Sequence, residues 1–122
     1  MSKKILIVED NTKNRVLLRD VLQYHGYEVL EAADGEEGVR LAREHIPGLI
    51  FLDIQMPVMD GFSALKMLKA TPETRSIRVI ALTSFAMTGD REKILNAGFD
   101  HYLSKPINTR ELPVVVKQYM EA

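Results

Sequence analysis

Cysteine is absent from the 122 residues, which excludes disulfides, thiolate metal sites and thiol nucleophiles. A basic excess is absent as well. Sixteen Lys and Arg stand against 17 Asp and Glu, for a net charge of -1. No field therefore draws the chain onto a polyphosphate, and a nucleic-acid partner is not expected. No apolar run approaches the roughly 20 residues that cross a bilayer. The start, Met1-Ser2-Lys3-Lys4, leads into an apolar segment too short for a signal sequence, so the expectation is a cytoplasmic protein with no membrane partner. Repeats, low-complexity tracts and linkers are lacking too. What is present is 46% hydrophobic and 27% charged, the make-up of one globular domain spanning residues 1–122.

Short apolar runs alternate with helical patterns. Ile5 to Val8, Leu49 to Leu52 and Val79 to Leu82 read as buried parallel strands. Glu28 to Glu31 and Asp100 to Leu103 fit strands more weakly. Between them, Arg15–Tyr24, Gly35–His45, Phe62–Leu68 and Thr88–Ala97 carry apolar residues at helical spacing, and a fifth helix runs from about Thr109. Gly26 suits a left-handed C-cap, Pro47 and Gly98 end the second and fourth helices, and Thr88 suits an N-cap. Asn108 and Glu111 resemble a capping box. Pro113 would then fall beyond the first turn, so this helix either starts later or bends. The order βαβαβαβαβα predicts an α/β fold, a doubly wound parallel sheet of five strands with five helices.

In such sheets, ligands bind beyond the carboxyl ends of the strands. There the sequence places Glu9 and Asp10 after the first strand, Asp53 after the third, Thr83 and Ser84 after the fourth and Lys105 after the fifth. Two charges about 4 Å apart repel by about 4 kcal/mol at an effective dielectric of about 20, so the acids call for a proton or a cation. Hard oxygen ligands suit Mg²⁺. Asp53 could then take up a phosphoryl group as an acyl phosphate, with Thr83 donating to a phosphoryl oxygen and Lys105 pairing with it.

These residues resemble the receiver domain of two-component response regulators. The matching segments are Ile5 to Asn11, Leu52 to Pro57 with Met59-Asp60-Gly61, Leu82-Thr83 and Tyr102 to Pro106. The resemblance implies a flavodoxin-like, CheY-like sheet of order 2-1-3-4-5, the receiver being a known instance of that order. It implies phosphoryl transfer to Asp53 from the phosphohistidine of a histidine kinase or phosphotransfer protein, the protein catalysing only its own phosphorylation and dephosphorylation. It implies Mg²⁺ held by Asp10, Asp53 and the backbone carbonyl of Gln55, with Glu9 acting through water. It also implies a switch: Thr83 moves toward the phosphoryl group, Tyr102 turns inward, and the surface of the fourth helix, fifth strand and fifth helix changes for a downstream protein target. Gln55 and Phe85 occupy the positions that tune phosphoryl lifetime, and a bulky Phe85 predicts slow dephosphorylation. The stretch from Phe85 to Glu92 resembles the DivK type of single-domain regulator, and equally receivers of hybrid histidine kinases.

Two other functions compete. A Mg²⁺-dependent phosphatase of the haloacid-dehalogenase type also uses an aspartate nucleophile, but wants an acid where Gln55 stands. A pseudo-receiver would bind proteins without accepting phosphate, and usually lacks part of the acid cluster. Alone, Glu9 and Asp10 would read as solvated loop acids, Lys105 as a surface lysine with a Pro106 turn that leaves a cis bond open, and Tyr102 as a half-packed strand residue. Asp60-Gly61 reads as a turn or cap. His25, His45 and His101 are scattered, and Lys66, Lys69, Arg75 and Arg78 form a solvated basic face.

Overall fold

A computed structural model describes residues 3–56, 58–84 and 88–120. Five strands, β1 (Lys4–Val8), β2 (Glu28–Ala32), β3 (Leu49–Asp53), β4 (Arg78–Thr83) and β5 (His101–Ser104), alternate with five helices. The helices are α1 (Thr12–Tyr24), α2 (Gly35–His45), α3 (Gly61–Ala70), α4 (Thr88–Ala97) and α5 (Glu111–Met120). All strand pairs are parallel, in the order β2-β1-β3-β4-β5.

The continuous apolar runs follow from coverage on both faces. Side chains alternate across a strand. Ile5, Ile7, Leu49, Phe51, Ile80 and Leu82 therefore pack with Leu18 and Leu22 of α1 and Leu112, Val115 and Val116 of α5. Leu6, Val8, Ile50, Leu52, Val79 and Ala81 pack on the other face with residues of α2, α3 and Ile94 of α4.

The caps adjust the expected helix ends. α1 starts three residues earlier than its apolar pattern, because Asn11 Oδ1 accepts the Asn14 N–H at 3.0 Å. Gly26 follows α1 with φ +90°, as expected of a left-handed cap residue. Thr88, expected as a cap, is the first helical residue of α4. α5 starts later than the capping box suggested. Asn108 Oδ1 accepts from the Arg110 N–H and its carbonyl from Glu111 and Leu112, so the helix proper begins at Glu111. Pro113 then sits in the first turn, where its missing N–H leaves no helical hydrogen bond unmade.

Candidate phosphoacceptor site

Strand parity and register bring the polar residues together. Ile7 lies opposite Phe51. Two residues on, Glu9 and Asp53 extend the same two rows beyond the apolar layer, and Lys105 follows Leu103 in the same way. Asp53 pairs with Leu82 across β3 and β4, which sets Thr83 one residue beyond it. The Lys105 N–H donates to the Thr83 carbonyl at 2.8 Å, drawing the β5 exit to the β4 exit. The Lys105–Pro106 peptide is cis.

Glu9, Asp53 and Thr83 are fully buried, whereas Asp10 is exposed. Carboxylate oxygens of Glu9, Asp10 and Asp53 lie within 4.8 Å of one another. At an effective dielectric of about 20, each such pair repels by about 3 kcal/mol. One ammonium answers them. Lys105 Nζ lies 2.8 Å from Asp53 Oδ2 and 3.0 Å from Glu9 Oε2. It also donates to Glu9 Oε1 at 3.2 Å. The other Asp53 oxygen accepts the Gln55 N–H at 2.9 Å, and Glu9 Oε1 accepts the Asn11 N–H at 3.1 Å.

Three acids and one lysine leave the cluster net negative, and the imbalance marks its titration. Burial pushes the Glu9 carboxyl above its ordinary range, aided by the charge of Asp53 and opposed by Lys105. Burial works against the Lys105 charge, but its contacts with Asp53 and Glu9 outweigh burial and raise its pKa. Glu9 Oε2 is buried without an aligned hydrogen bond, its contact with Lys105 being one of charge only. An orphaned buried oxygen beside two further carboxylates fits a small hard cation.

The β3–α3 loop is built around the same aspartate. A Cβ at Gly61 would lie 2.5 Å from the Asp53 carbonyl oxygen and 2.6 Å from Ile54 Cα, so only glycine lets α3 start this close. Asp60 caps α3 by accepting the Ser63 N–H at 2.8 Å. Asp60-Gly61 is thus the expected cap, with a packing demand that its sequence did not announce. Val58, 83% exposed, holds a left-handed φ of +70° in this loop. Met56 and Met59, partly buried, pack against the core.

Tyr102 is half-buried, and its hydroxyl accepts from Arg91 Nε of α4, whose guanidinium lies over the ring. Gln55 is exposed at the loop start. Phe85, assigned to lifetime, lies outside the described residues. Sequence reasoning missed Arg15, whose Nη1 donates to the Glu9 carbonyl at 2.9 Å. The only signal for it was its place one turn into a helix that starts beside the acids.

A model of the response regulator receiver domain matches residues 5–117. The chain is 45% identical over 120 residues to the polar-differentiation response regulator DivK of Brucella ovis, with 98% of each chain covered. Its structure is similar to the receiver domain of a Pseudomonas aeruginosa sensor histidine kinase, at 37% identity, TM-score 0.91 and full coverage of both chains. That structure holds a magnesium ion coordinated in the active-site cleft. It is also similar to the receiver domain of the Saccharomyces cerevisiae response regulator Ssk1, at 29% identity, TM-score 0.89 and coverage of 98% and 89%. That receiver was crystallised with the histidine phosphotransfer protein Ypd1. The chain therefore belongs to the receiver domains of two-component response regulators.

Proposed function

We propose that this chain is a single receiver domain, residues 1–122, that accepts a phosphoryl group on Asp53 from the phosphohistidine of a histidine kinase or phosphotransfer protein. The observation that carries the reading is the buried Asp53 carboxylate held between Lys105 Nζ and the Gln55 N–H beside two further acids. In the transfer, the phosphorus–nitrogen bond of the donor breaks as a bond forms from phosphorus to an Asp53 oxygen. The leaving histidine keeps the electron pair. Lys105 and Thr83 face the arriving phosphoryl oxygens, and the fully buried Asp53 loses no solvation shell in attacking.

Asp10, Asp53 and the Gln55 carbonyl would hold Mg²⁺, with Glu9 acting through water. When bound, the ion neutralises charge on the phosphoryl oxygens. Phosphorylation adds about two negative charges at Asp53. Thr83 and Tyr102 carry that change to the face of α4, β5 and α5, where a downstream protein reads it. Release of the Tyr102 hydroxyl from Arg91 would accompany the inward turn. Gln55 and Phe85 stand at the two sequence positions that tune phosphoryl lifetime in receivers, and the bulk of a phenylalanine at the second predicts slow dephosphorylation. The cytoplasm is where such a donor and target would meet it.

Incubation with acetyl phosphate and Mg²⁺, followed by intact mass measurement, tests the reading. The expected result is one added phosphoryl group, lost in Asp53→Asn. Catalytic turnover of the donor without an adduct would support the phosphatase instead. No adduct at any Mg²⁺ concentration would leave a protein-binding module.

A further inference from the structure

Glu9 and Asp10 are joined by one peptide unit, and Arg15 grips it. Arg15 Nη1 donates to the Glu9 carbonyl at 2.9 Å. On the other side, the Glu9 N–H donates to the Ala32 carbonyl at 3.0 Å. Both backbone polar groups of Glu9 are thereby fixed. The guanidinium is itself held, because Nε lies 3.3 Å from Glu31 Oε1 on β2, with the two side chains only 18% and 31% exposed. The Arg15 N–H closes the first turn of α1 onto the Asn11 carbonyl at 3.0 Å. Asp10 is exposed, and no side chain among the described residues pairs with its carboxylate. Its position is therefore set by its backbone, and the plane of that backbone is set by the Glu9 carbonyl.

We infer that Arg15 is a positioning residue for the acids, clamping the Glu9–Asp10 peptide so that both carboxylates face the site together. The inference rests on the reading of these acids as the Mg²⁺ ligands. Glu31 completes the clamp by orienting the guanidinium fork. Arg19 is a built-in contrast. It lies one turn further along α1 and faces the same Glu31, with Nη1 3.6 Å from Oε2, but its polar contacts are with Asp20 and Glu31, not Glu9.

Charge and positioning predict opposite signs. A cation near three acids repels Mg²⁺, so loss of Arg15 by charge alone would tighten metal binding. Loss of the clamp frees the peptide and weakens it.

The test is Mg²⁺ titration calorimetry on the full chain and on Arg15→Ala, Arg15→Lys and Arg19→Ala. Folding is checked by far-ultraviolet circular dichroism. Loss of a charge-assisted hydrogen bond predicts about ten-fold weaker Mg²⁺ binding in Arg15→Ala. Arg15→Lys, with one point donor in place of a fork, should recover part of that. Arg19→Ala should stay within about two-fold of the parent. Phosphorylation of Arg15→Ala by acetyl phosphate should slow at low Mg²⁺ and recover at saturating Mg²⁺, which a general folding defect would not do. Unchanged or tighter Mg²⁺ binding in Arg15→Ala, or an equal loss in Arg19→Ala, would overturn the inference. The Glu9 carbonyl ¹³C resonance of the metal-free protein gives an independent readout. It should move in Arg15→Ala and not in Arg19→Ala, and its failure to move overturns the clamp. If the parent binds no Mg²⁺, the functional reading fails separately from that contact.

Discussion

Phe51 and Asp53 lie two residues apart on β3, on the same row of the strand and equally buried. Phe51 is surrounded by apolar side chains from β1, β4, α1 and α5. Asp53 meets two further acids and a single ammonium. Over about 7 Å of strand the sheet passes from a packed interior to a rim whose charges do not cancel. The interior holds the fold, and the rim is held by it. Residues such as Glu9 and Asp53 keep their buried positions because five strands fix the backbone beneath them, not because the rim itself favours folding.

The contrast predicts opposite signs for truncating an interior side chain and for neutralising a rim acid. Phe51→Ala should cost about 4 kcal/mol of unfolding free energy, measured by urea denaturation. An equally large loss on removing a rim acid would break the comparison. Lys105→Ala, measured without metal, should cost about 2 kcal/mol, since it leaves two buried acids facing each other. Mg²⁺ should restore more stability to this variant than to the parent. Asp53→Asn should instead stabilise the metal-free protein by about 1 kcal/mol, because it removes one of the three clustered negative charges and leaves Lys105 paired with buried Glu9. The same variant should lose most of the stabilisation that Mg²⁺ confers.

The smallest effect is in pH. The Glu9 carboxyl titrates above its unfolded value of 4.5. Its neutral form is thus favoured in the folded state, and the stability this brings is present below the unfolded value and lost as pH rises through the folded one. Glu9→Gln should therefore be more stable than the parent at neutral pH, and the gap should close on acidification through that raised value. A gap that widens with acid would mean that Glu9 is stabilised in its charged form.

The fold and much of the rim were legible in the sequence for physical reasons. A strand covered on both faces must be apolar throughout, so Leu49 to Leu52 and Val79 to Leu82 announced themselves. A carboxylate directly after such a run has few structural explanations, which made Asp53 conspicuous. The ends of α1 and α5 were less legible. Asn11 and Asn108 each make local hydrogen bonds that compete within two or three residues, and apolar spacing does not register them. Pro113 carried the correct hint, because a proline in mid-helix is costly and one in a first turn is not. Arg15 and Gly61 were illegible because their roles depend on distance to backbone atoms. An arginine donating to a carbonyl and a glycine making room for one leave no periodic trace.

The central claim is that this rim presents Asp53 as the phosphoryl acceptor. The most direct measurement treats the protein with acetyl phosphate and Mg²⁺, then reduces it with borohydride, which converts an aspartyl phosphate to homoserine. Peptide mass spectrometry then locates the change. Homoserine at position 53 and nowhere else is the predicted result. Homoserine at position 10, or a phosphoryl group on a histidine or serine with none at Asp53, would contradict it.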